Sequence, residues 1–146
     1  MDAAHSRFES TDLSGSKVRV GIQAASNESL TISAGTIGLE GTSNFEFDSA
    51  PETLTWDDGS TSVTIPANHV KFSDAIDLAL DGTADIVTRL RPNGGTGADG
   101  FRYTSTMNGV QTQYKSGVDE TTTLGSLSGY TAQNSANPIR HVVVTA

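Results

Sequence analysis

Cysteine is absent from this 146-residue chain, so it offers no disulfide framework, no thiolate nucleophile and no Cys-ligated zinc or iron–sulfur site. Cations are scarce too: nine Lys and Arg stand against 17 Asp and Glu, a formal charge of −8. A field of that sign repels the phosphates of nucleic acid and of an anionic membrane, which argues against both as partners. No apolar run approaches the about 18 residues that a membrane-spanning helix needs. Met1 to Arg7 lack the basic and apolar stretches of a secretory signal, so none is expected there.

What the chain has in abundance is 19 Thr and 17 Ser, with apolar residues in short runs and without helical stripes. That composition favours strands, turns and a hydroxyl-rich surface. A chain of this length buries roughly 68–70% of its unfolded surface on folding, enough for one core without staples.

Residues 1–16 have no sustained period and are expected to form a polar extended arm around isolated Phe8 and Leu13. Residues 17–146 are expected to form one domain. Val18, Val20 and Ile22 alternate with polar positions as in a half-buried strand. Leu30 and Ile32 continue with period two, Ala34-Gly35 interrupts as a bulge or bend, and Ile37 with Leu39 resume, which suggests two strand segments. Phe45 and Phe47 suggest a short strand. Leu54 and Trp56 run into the turn Asp57-Asp58-Gly59, which leads to Val63 and Ile65, closed by Pro66. Ser73 to Leu80 reads as a strand although a helical turn is conceivable, and Ile86, Thr88 and Leu90 alternate against Val87, Arg89 and Arg91. Asn108-Gly109 suggests a type I′ hairpin that pairs Tyr103 with Tyr114. Some ten short strands with close turns predict an all-β fold, an antiparallel two-sheet jelly-roll-like β-sandwich. Its expected core is Val18, Val20, Ile22, Leu30, Ile32, Ile65, Ile86, Leu90, Phe101, Tyr103 and Tyr114.

Three segments carry a resemblance: Lys17-Val18-Arg19-Val20 through Ser29-Leu30-Thr31-Ile32 to Ile37-Gly38; Val63-Thr64-Ile65-Pro66-Ala67 through Phe72-Ser73-Asp74 to Asp85-Ile86-Val87; and Gly109 to Tyr114. Over residues 17–144 the chain resembles the non-catalytic β-sandwich that precedes the catalytic domain in some GDSL (SGNH) esterases. That family's nucleophile sits in a Gly-Asp-Ser block of a separate α/β domain, and its His in an Asp-x-x-His block. This chain has no Gly-Asp-Ser, and its one Asp-x-x-His, Asp2 to His5, has no partner serine motif. The resemblance therefore carries over no catalytic residue, and the chain is expected not to be an enzyme.

His5, His69 and His141 are too scattered for a transition-metal site. The acidic pairs Asp57/Asp58, Asp74/Asp77, Asp81/Asp85 and Asp119/Glu120 read as solvated turns and lack the spacing of a calcium loop. No metal or cofactor is expected. Trp56 and Tyr130 are the candidate glycan contacts, because amphipathic rings suit the face of a sugar. Phe8 and Leu13 are the candidate subunit contacts, since ordering a polar arm calls for a neighbour to hold it.

Two functions follow. The first is a non-enzymatic structural protein of the virion, a capsid decoration or cement protein that acts through subunit interfaces. It would be a homo-oligomer, with a trimer the natural state at a capsid threefold axis. The second is a glycan-binding or accessory module of a GDSL/SGNH esterase, placed outside the cell or at its surface.

Overall fold

The computed structural model describes residues 3–8, 13–42, 45–92, 110–115, 121, 131–132 and 139–146. Among them lie eleven strands and no helix: β1 (Ala3–Phe8), β2 (Ser14–Gln23), β3 (Leu30–Leu39), β4 (Glu52–Thr53), β5 (Val63–Ile65), β6 (Val70–Phe72), β7 (Ile76–Asp81), β8 (Ile86–Pro92), β9 (Val110–Lys115), β10 (Thr131–Ala132) and β11 (Ile139–Thr145). One sheet runs β10-β9-β1-β8-β3-β4, with β5 also on β3; the other runs β11-β2-β6, with β7 also on β2. Every pairing between these strands is antiparallel. The chain is thus an all-β, two-sheet antiparallel sandwich.

The period-two pattern explains the core. Val18, Val20 and Ile22 point inward from β2 and are fully buried, while Lys17 before them and Arg19 between the two valines are exposed. They meet Leu30, Ile32 and Ile37 of β3, Ile65 of β5, and Ile86 and Leu90 of β8 in one cluster, completed by Leu54, Trp56, Ile76, Leu80 and Ile139. Each such aliphatic side chain contributes about 1.5–3 kcal/mol on burial. Eight of the eleven expected core residues are in this cluster; Phe101, Tyr103 and the side chain of Tyr114 lie outside the described residues.

In β3 the inward positions are even at Leu30 and Ile32 but odd at Ile37. A one-residue slip would turn one half of the strand inside out. The chain resolves this with a register shift between Ile32 and Ala34, so the expected interruption is a bulge. It lies inside a single ten-residue strand, and the two segments expected there are one.

Ser73 to Leu80 contributes a strand, β7, with Ile76 and Leu80 buried. Gln113 and Tyr114 of β9 pair with β1 on one edge and β10 on the other. The expected pairing of Tyr103 with Tyr114 therefore finds both edges of Tyr114 occupied; Phe101 to Met107 lie outside the described residues.

Two expectations are corrected. Within the segment 1–16, expected to be an extended arm, the described residues join the sheets: Ala3–Phe8 is a strand between β8 and β9, and Ser14 to Ser16 lengthen β2 against β7. No apolar alternation announced β1, because its ladders on both edges and its polar contacts hold it. Ser6 is buried, and Arg7 pairs with Glu40 and Asp85. The pairing expected from a neighbouring subunit is supplied by this chain's own strands. Phe45 and Phe47 do not form a strand either. Phe45 has a φ of 64°, a left-handed conformation unfavourable to a bulky residue, and Phe47 makes only an isolated bridge with Glu40. Both lie over β8, where Arg89 donates from Nη2 to the Phe45 carbonyl at 2.7 Å and sits 4.2 Å from the centre of the Phe47 ring. The outward position Arg89 is consequently as buried as the core, and Val87 is equally buried.

Candidate functional site

The structure separates the residues singled out from the sequence. Trp56 is fully buried, pinned by the paired backbone bonds between Trp56 and Ser60 across the 57–59 turn. Its ring has no face open to a sugar, which removes it as a glycan contact; the apolar core outcompetes the surface for the chain's one tryptophan. Tyr130 lies outside the described residues. Leu13, an expected subunit contact, is half-buried and packs against the chain's own core. Phe8 ends β1 opposite Ile86 and Val110, and its side chain lies outside the described residues. Among the described residues no three His, Asp or Glu side chains converge as a metal site would require.

Most polar chemistry is spent on the scaffold. The Ser73 hydroxyl donates to the Asp74 carbonyl and accepts from the Val20 amide, and the Thr36 hydroxyl donates to the Thr121 carbonyl. The Asp74 carboxylate accepts from the Thr55 hydroxyl at 2.8 Å, the Gly59 amide at 2.9 Å and the Asp58 amide at 3.2 Å. It thereby secures a turn in which Asp57, Asp58 and Gly59 all have positive φ. The Thr55 bond, aided by the two amides and by Arg19, outweighs partial desolvation and holds the Asp74 carboxyl below its ordinary value.

A folded-state value below the unfolded one means that Asp74 adds stability in full above the unfolded value. That contribution fades as pH falls through the folded value. We expect Asp74→Asn to lower the melting temperature at pH 7 and to flatten its decline below about pH 4, read by thermal denaturation across pH. A parallel downward shift of both curves would contradict this.

Arg7 of β1 pairs with two carboxylates, those of Glu40 and Asp85. Its Nε donates to Glu40 Oε2 at 2.8 Å and its Nη2 to Asp85 Oδ2 at 2.6 Å. Glu40 Oε1 accepts from the Phe45 amide at 2.9 Å, so one carboxylate ties β1 to the Phe45 loop. Burial lowers the Arg7 pKa, but the two carboxylates raise it by more, and the net direction is up.

The outer face of the four-stranded sheet differs. Among the described residues the exposed large hydrophobics are Val70, Phe72 and Val143, at 36%, 40% and 42%, and all three lie on β6 and β11, either side of β2. Register lines up Phe72, Gly21 and His141 across the three strands, with Arg19 opposite Val143 in the adjoining row and Gln23 opposite Val70. The Phe72 and His141 rings stack with centroids 5.7 Å apart and 26° between planes. Gly21 makes this possible: a Cβ there would lie 2.9 Å from the Phe72 ring and 3.1 Å from the His141 Cβ. The Lys17 and Asp77 side chains pair with each other at the end of this sheet. Sequence reasoning missed Phe72 because a three-residue strand is too short to show which of its alternate residues face outward.

No known family model matches the chain, and a comparison with curated proteins finds no match.

Proposed function

We propose that the chain is a non-enzymatic β-sandwich that works by surface contact, as the accessory module of a GDSL/SGNH-type esterase. The observation that carries this reading is the contrast between its two kinds of chemistry. Hydroxyls and carboxylates such as those of Ser73, Thr36 and Asp74 are engaged in holding turns and strands, whereas one sheet face presents apolar and aromatic groups to solvent. Contiguous exposed apolar groups on a small sandwich mark binding. The resemblance of residues 17–144 to the sandwich that precedes such esterase domains supplies the setting.

A capsid decoration or cement protein is the second reading, and the same exposed face favours it, since a subunit interface also needs an apolar centre. Its other support, an arm requiring a neighbour, is gone with the placement of Ala3–Phe8 inside the chain's own sheet.

One preparation of the full chain tests both. As an accessory module it sediments as a monomer of 15.2 kDa and hydrolyses a short-chain acyl ester no faster than buffer does. A trimer would overturn the accessory reading in favour of the capsid one. Turnover abolished by a single Ser→Ala change, in a variant that still folds, would overturn the non-enzymatic reading in either form.

A further inference from the structure

The outer face of the four-stranded sheet is built like a platform for a flat amphipathic ligand, and we infer that it binds a neutral polysaccharide chain through Phe72, His141 and Arg19. This rests on the accessory-module reading and names the ligand class of its exposed face.

A sugar ring presents C–H groups on its face and hydroxyls on its edge, so its site needs an exposed ring beside hydrogen-bonding groups. Phe72 supplies the ring. It is 40% exposed, and its stack with His141 fixes its tilt, with the floor lowered at Gly21 to seat it. Polar groups adjoin it on the same face. His141 stands beside the ring, and Arg19 is two residues from Gly21 along β2, which is about 6.4–6.8 Å at the rise of a strand. That spacing suits groups meeting one saccharide unit or its neighbour. Arg19 is exposed and forms no ion pair among the described residues, leaving the planar fork of its guanidinium to donate to hydroxyl pairs. Val143 opposite Arg19 extends the apolar floor by one row.

Charge selects a neutral chain over an acidic one. The molecule carries −8, and Lys17, the other β2 cation flanking this face, is neutralised by Asp77. A polyanion would meet net repulsion with one unpaired cation at the site. A neutral glycan meets none.

The test is electrophoresis of the full chain in native gels containing a soluble β-glucan, xylan, galactomannan or polygalacturonate, followed by a printed array of diverse glycans. We expect retardation by at least one neutral polysaccharide. Phe72→Ala should weaken it about tenfold, equivalent to about 1.4 kcal/mol, Arg19→Ala should weaken it by less, and Phe72→Trp should retain it. Both positions are exposed, and an unchanged melting temperature certifies the fold.

Absence of binding to every gel and array glycan would overturn the inference, as would retardation by polygalacturonate alone. So would binding that survives Phe72→Ala. Self-association of the wild type that Phe72→Ala abolishes, without glycan binding, would assign the face to a protein contact instead. A monomer that lacks glycan binding and esterase turnover overturns the ligand while leaving the accessory-module reading standing. A trimer overturns that reading itself.

Discussion

Trp56→Ala lowers the unfolding free energy by about 3–5 kcal/mol, the range for truncating a large buried aromatic side chain. A domain of ordinary stability has about 5–15 kcal/mol in total, so this one change removes about a fifth of it or more. Trp56 is the largest fully buried side chain among the described residues, and it joins the cluster formed by both sheets. Little can collapse into the space it leaves, because backbone bonds to Ser60 and the Asp74-held turn fix the walls on that side. Its Nε1 has no hydrogen-bond partner among the described residues, so the ring contributes through packing. Trp56→Phe, which keeps an aromatic ring and removes that N–H, is therefore expected to cost less than Trp56→Ala. Urea denaturation followed by far-ultraviolet circular dichroism reads all three proteins. A loss for Trp56→Ala below about 0.5 kcal/mol, the size of a surface substitution, would put the ring back on the surface and reopen it as a sugar contact.

Deleting residues 1–8 abolishes cooperative folding. If these residues were a free arm, the deletion would leave the domain untouched. As β1 they pair with β8 on one edge and β9 on the other, so removing them detaches β9 and β10 from the rest of the seven-stranded sheet. Each ladder hydrogen bond is worth about 0.5–1.5 kcal/mol net, and two ladders are lost together. Arg7 goes with them, which withdraws the guanidinium from Glu40 and Asp85, whose side chains are only 11% and 15% exposed. The combined loss is comparable to the whole stability of a small domain. The deleted chain should show no sigmoidal urea transition; a transition at the wild-type midpoint would contradict the placement of β1.

How much of this was legible in the sequence depended on what holds each element. Strands stabilised by one apolar face announce themselves: Val18, Val20 and Ile22, or Ile86 and Leu90, alternate because one side meets the core. The parity change from Ile32 to Ile37 likewise forecast the bulge that restores it. β1 was invisible because its stability comes from neighbours far along the chain, with Arg7 reaching residues 33 and 78 positions away. Phe45 and Phe47 imitated a strand by spacing alone, but they cover Arg89 from the outside, an arrangement that depends on a left-handed Phe45 and on the space at Gly38.

The candidate site was less legible than the fold. Trp56 looked accessible beside Asp57 and Asp58, yet those carboxylates belong to a surface turn whose first anchor points inward. Phe72 had no local signal, since its exposure follows from where β6 joins β2 and from the absence of a side chain at Gly21. Sequence alternation identifies residues that face a core; it does not say which outward residues are brought side by side.

This chain closes its own sheet with its first strand. Amide hydrogen exchange at residues 3–8, measured at low and at high protein concentration, tests it most directly. β1 is bonded on both edges within one chain, so its ladder amides should exchange as slowly as those of Ile86 to Leu90, and at a rate independent of protein concentration. Exchange at the rate of an unstructured peptide, or protection that appears only as concentration rises, would show that the segment is an arm awaiting a neighbour.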